Sequence, residues 1–152
     1  LEQGARIVEV LKQDRNFLTI VLLSIVTCGI YELYYLYEIA RDTNQMCQGD
    51  GEETAGLGMY ILLSIVTCGI YAYYWFYKLG DRLHKNAPRY NLNFSETGST
   101  ILLYLLINLL SGGIGTIIAT YFINRNINAM AAAYNQWISG NGQTTQYPQI
   151  NN

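Results

Sequence analysis

The chain has 152 residues, of which 51% are apolar and 13% charged, with a net charge of -2. So few charges are a poor match to an ordinary globular surface, and the acidic balance excludes the clustered Lys and Arg of a nucleic-acid footprint. Three cysteines without paired spacing exclude a disulfide framework and a zinc site.

In chain order, Ile7, Val8, Val10 and Leu11 suggest a short amphipathic segment over residues 1–15. Three uncharged stretches follow: Arg15 to Glu32, Glu53 to Lys78 and Glu96 to Arg125. Inside the first two, LLSIVTCGIY occurs twice, at residues 22–31 and 62–71, an offset of 40. An offset of 84 pairs Gly29 with Gly113, Tyr37 with Tyr121, Arg41 with Arg125 and Met46 with Met130, so a third, diverged copy is present. The repeats are placed at 16–46, 56–86 and 97–138, with a Gly-, Asn- and Gln-rich tail over 139–152 that reads as disordered.

Equivalent windows at 17–39, 57–79 and 101–123 would each span about 34 Å as a helix, enough for a bilayer core of about 30 Å. The expected fold is therefore an all-α integral membrane protein with one transmembrane helix per repeat. The alternative makes each repeat a helix-turn-helix hairpin broken at Thr-Cys-Gly, because Gly29 and Gly69 are suited to ending a helix. Opposite charges at the equivalent positions Glu38 and Lys78, Arg41 and Asp81, and Asp42 and Arg82 would suit lateral ion pairs between such hairpins. With single crossings, the distribution of Lys and Arg sets the N-terminus on the cytoplasmic side of a multi-pass protein.

The midpoints of the windows are Cys28, Cys68 and Gly112. Ser24 with Cys28 and Gly29, Ser64 with Cys68 and Gly69, and Ser111 with Gly112 and Gly115 supply small residues at the spacing that lets helix backbones approach closely. These are the candidate helix-packing residues. Glu32, one turn past a midpoint, is the candidate ion or proton site, with Tyr31, Tyr34 and Tyr35 lining it. The remaining Tyr and Trp excess suits an interfacial belt. His84 lacks a partner constellation for metal or triad chemistry, and the acidic loop 48–54 reads as a connector. No catalytic residue, cofactor or metal is indicated.

The doubled Thr-Cys-Gly-Ile-Tyr string with its Tyr-x-x-Tyr continuation, followed by a Gly-rich third segment, resembles the bacterial family DUF4234, a domain of unknown function, from about Asn16 to Met130. That resemblance implies a small integral protein of the bacterial cytoplasmic membrane and supplies no activity. The expected partners are the lipid bilayer and further copies of the chain, since three helices enclose little interior. The expected function is a non-enzymatic scaffold or interaction unit that self-associates. The alternative is an oligomeric channel or conduit for protons, cations or small solutes.

Overall fold

The computed structural model describes residues 9–140. Those residues form six α-helices: α1 (Phe17–Val26), α2 (Ile30–Met46), α3 (Leu57–Val66), α4 (Ile70–Asn86), α5 (Gly98–Ser111) and α6 (Ile114–Gly140). A short 3-10 turn, Ala87–Tyr90, follows α4. Among the described residues there is no strand.

The all-helical class holds, but the integral-membrane assignment is overturned: no described helix is long and apolar enough to cross a membrane. Each sequence window runs across a turn, so one apparent rod is two helices. The 10 residues of α1 and of α3 reach only about 15 Å each. The longer α6, with 27 residues, carries Asn124, Arg125, Asn126 and Asn128 in its middle. The multi-pass cytoplasmic-membrane location and the cytoplasmic N-terminus depended on three crossings and fall with them. Each repeat instead breaks at Thr-Cys-Gly, or at Gly112–Gly113 in the third, into a pair of helices.

The predicted amphipathic segment is only partly in view. Ile7 and Val8 lie outside the described residues, and residues 9–16 are not helical. Leu11 is buried while Val10 is exposed. Of the predicted tail, residues 141–152 lie outside the described residues.

The repeats share one core register. Tyr35, Trp75 and Ala119 are buried at equivalent positions, as are Ile39, Leu79 and Ile123; Thr43, Leu83 and Ile127; and Met46, Asn86 and Met130. The intervals 35, 39, 43 and 46 trace a stripe down one face of α2, and the same stripe recurs on α4 and α6.

Contacts between repeats fix the direction of the three second helices. Tyr35 Oη donates to Asn124 at 3.5 Å and Gln45 Nε2 to Tyr134 Oη at 3.0 Å, so α2 runs parallel to α6. At the far ends, the Tyr90 hydroxyl donates to the Met46 carbonyl, and the Tyr90 and Tyr134 rings are 6.4 Å apart. Arg82 Nη1 reaches Asn44 at 2.6 Å. The C-terminal ends of α2, α4 and α6 thus gather at one pole, the base. Their N-terminal ends, where the three turns lie, point to the other. The lead-in segment climbs α6 toward that second pole: Leu11 pairs with Asn135, the Arg15 amide with Asn128, and Phe17 with Tyr121 at 5.4 Å.

Glycine permits the tightest helix contacts. A Cβ on Gly115 would overlap the Tyr104 carbonyl, which sets the separation of α5 from α6. One on Gly80 would stand 2.8 Å from Ile101 Cγ1, where α4 meets α5.

Candidate interaction surface at the hairpin tips

The repeated string builds a specific turn. Thr27 Oγ1 donates to the Leu23 carbonyl at 2.6 Å and accepts from the Tyr31 amide at 2.9 Å, so one hydroxyl closes α1 and caps α2. Cys28 and Gly29 follow with φ of 53° and 90°, and the Gly29 amide returns to the Ser24 carbonyl at 2.7 Å. That six-to-one bond and the left-handed residues are a Schellman-type helix end. Thr67, Cys68 and Gly69 reproduce it: 2.7 Å to Leu63, 2.9 Å from Tyr71, and 2.7 Å from Gly69 to Ser64. The ten-residue identity thus preserves a reversal.

In the third repeat the string has diverged and other residues take over. Gly112 has φ of 63°, and Asn108 bridges α5 to α6 by accepting from the Thr116 amide at 2.8 Å and donating to the Thr116 hydroxyl.

This geometry corrects the packing role expected at the midpoints. Cys28 and Cys68 are exposed, and a Cβ on Gly29, Gly69 or Gly112 would meet nothing within 4 Å. These residues turn the chain instead of letting helices approach. Gly115 alone of the predicted glycines sits in a close helix contact. Ser64 and Ser111 have buried Oγ atoms, and Ser24 is half-buried with its carbonyl in the turn.

Around each turn the side chains are apolar and open. Ile25 and Val26 are 70% and 77% exposed, Ile65 and Val66 are 71% and 70%, and Leu109 and Leu110 are 76% and 93%. Among the described residues, none covers these side chains. Further from the tips, Tyr34, Tyr37, Tyr74 and Tyr121 are exposed on α2, α4 and α6.

The predicted Tyr face divides. Tyr31 and Tyr34 adjoin, with rings 5.9 Å apart, and Tyr34 donates to Glu38 at 3.0 Å. Tyr35 turns inward to Asn124. Glu32 lies half-buried in the first turn of α2, where burial raises its pKa above the ordinary 4.5. On the neighbouring hairpin Tyr60 packs on Trp75 at 5.2 Å, and burial, with the charge of Glu32, pushes its hydroxyl up to about 12.

The base is the polar pole. Arg15 forms a buried pair with Asp42 and lies 3.6 Å from Glu38. Arg82 grips the 48–54 connector: it pairs with Asp50 at 2.7 Å and donates to Thr54 Oγ1 at 3.0 Å and the Glu52 carbonyl at 2.7 Å. Glu96 pairs with Arg125 at 2.7 Å. Position 42 and its equivalents 82 and 126 are Asp, Arg and Asn, all buried, so every repeat spends this position on polar bonds. The swapped charges do not pair with one another: Lys78 meets Glu52, and Asp81 meets Lys85.

His84 bonds through Nδ1 to the Phe94 carbonyl at 2.7 Å. Cys47 is fully buried, and desolvation raises its thiol to about 12. Among the described residues no group of three or more His, Cys, Asp or Glu is placed to hold a metal ion.

The family described as Domain of unknown function (DUF4234) matches residues 15–85 and again residues 55–129. The two matches share their middle, starting 40 residues apart and ending 44 apart, which are the offsets between successive repeats (84 less 40 for the second). Together they cover most of the chain, which belongs to this family. No curated protein and no solved structure matches the chain at a significant level.

Proposed function

We propose that this chain is a non-enzymatic interaction unit whose working surface is the apolar pole formed by the three hairpin tips. One observation carries this: the most apolar helices end in large hydrophobic side chains that stand open, whereas charged and amide groups are buried toward the base. Isolated exposed Leu or Ile residues mean little, but six gathered at one pole, two on each tip, amount to exposed apolar surface of the kind that marks interaction sites. Covering such a side chain fully is worth about 1.5–3 kcal/mol, so an apolar partner gains substantially by docking there.

The base supplies what a docking unit needs, since pairs such as Arg15 with Asp42 and Arg82 with Asp50 tie lead-in, connector and helices together. The tips are thereby presented on a fixed frame. Self-association through the tips is one form of this function. Light scattering across a concentration series, with and without an apolar-phase mimic such as dodecyl maltoside micelles, tests it. A chain that remains monomeric and takes up no detergent at the tips would refute the proposal.

A further inference from the structure

We infer that the partner of the apolar pole is a lipid surface, entered to the depth of one leaflet and not crossed; this rests on the docking role proposed above. Four features favour a fluid over a second protein. The pole is three separate prongs, each exposed on its own, and a folded partner would have to supply three matching pockets. Hydrocarbon fills round separate prongs without any complementary shape. The helices α1 and α3 have 10 residues each, a reach of about 15 Å, which is half of a bilayer core of about 30 Å.

The third feature is the placing of exposed tyrosines. Tyr34 and Tyr74 follow Gly29 and Gly69 by five residues, and Tyr37 and Tyr121 follow Gly29 and Gly113 by eight, so a ring of them lies about 7–12 Å back from the tips. Tyr prefers the boundary, where its ring is in hydrocarbon and its hydroxyl in water. Fourth, no charged residue lies between Asn16 and Tyr31, between Thr54 and Tyr77, or between Thr97 and Asn124, so on the tip side of the tyrosines the one charged residue of the prongs is Glu32, half-buried in the first turn of α2. Attraction at the tips is apolar, because Arg41, Lys78, Lys85 and Arg125 already have acidic partners and the exposed Lys12 follows Leu11, which bonds Asn135 toward the base.

Flotation with phosphatidylcholine vesicles tests this. The chain should float with zwitterionic vesicles, with little change on adding salt. Val26→Asp, Val66→Asp and Leu110→Asp, all at open positions, should each lower partitioning by about a hundredfold at most and tenfold at least. Gln136→Glu, exposed near the C-terminal end of α6, should leave it unchanged. Circular dichroism and melting of each variant establish that the fold survives. A polarity-sensitive thiol dye on Cys28 and Cys68 should shift to the blue on vesicle addition and be quenched by spin-labelled lipid in the outer leaflet.

Chain that stays in the aqueous fraction but forms a discrete oligomer, broken by the same three variants, would overturn the lipid inference and keep the docking role. Monomeric chain indifferent to vesicles and to all three substitutions would overturn both. Quenching only by inner-leaflet label would overturn the one-leaflet depth.

Discussion

Three glycines set out what the turns and the helix contacts each cost. At Gly115, an alanine Cβ would overlap the Tyr104 carbonyl and stand 2.9 Å from Asn108 Oδ1, against a limit of about 3.0 Å for real Cβ contacts. The obstacle is backbone, so relief requires α5 and α6 to separate and disturbs the Asn108 to Thr116 bridge. Overpacking of this kind typically costs 1–3 kcal/mol, and a backbone clash places Gly115→Ala at about 3. At Gly29 there is open space but φ is +90°, so Gly29→Ala costs only the left-handed strain, about 1–2 kcal/mol. Gly58, in the first turn of α3, has open space and ordinary φ, so Gly58→Ala should be neutral or stabilising by up to about 1 kcal/mol. For a chain of this size 1 kcal/mol moves Tm by roughly 2–4 °C, giving losses of about 6–12 °C and 2–8 °C for the first two variants and none for the third. Thermal melts followed by circular dichroism measure this. Gly115→Ala melting within 2 °C of the parent, or above Gly29→Ala, would refute the helix contact.

The turn itself gives two further expectations. Thr27→Val removes a hydroxyl that serves both helices and should cost about 1–2 kcal/mol in urea unfolding. Cys28→Gly relieves a left-handed non-glycine residue and should stabilise by about 1 kcal/mol in the same assay, with a loss counting against the assigned backbone. Acid should act through the base: burial alone would raise Asp50, but hydrogen bonds from Arg82, the Glu52 amide and Asn86 hold it below its ordinary 3.8. Glu96 is likewise held below 4.5, burial being outweighed by Ser95, Asn126 and Arg125. Both carboxylates bind protons more weakly when folded. Their contribution is therefore complete above those ordinary values and lost as pH falls through the lower folded ones, so Asp50→Asn should flatten the acid limb of a Tm-against-pH curve. Glu32 has the opposite sign, its folded pKa being raised by burial. Glu32→Gln should raise Tm at pH 7, and the gain should vanish below about pH 4.5.

The repeats were readable directly, and with them much of the core. Offsets of 40 and 84 carry Ile39 onto Leu79 and Ile123, and Thr43 onto Leu83 and Ile127, all of them buried. What misled was the hydropathy of a 23-residue window, which is the same for one straight rod as for a short apolar helix and a reversal. The deciding signal was local: a Thr able to cap the next helix, then two residues able to take positive φ. It was present in the sequence and compatible with both readings. The base was illegible for another reason. The equivalent charges Glu38 and Lys78 have opposite signs, yet their partners, Arg15 and Glu52, come from the lead-in and the connector, which lie outside the repeat and follow no offset. Tyr35 went astray because a 0, 3, 4 spacing covers about 100° of a helix, enough for Tyr34 to face out while Tyr35 faces in.

Thiol accessibility separates the account from its main rival most directly. In folded chain, a small maleimide should modify Cys28 and Cys68 rapidly and leave Cys47 protected until denaturant is added, because the first two stand at open turns and the third is sealed in the core. Slow modification at Cys28 and Cys68 with rapid modification at Cys47 would mean that Thr-Cys-Gly is packed between helices after all, and the apolar pole would not exist.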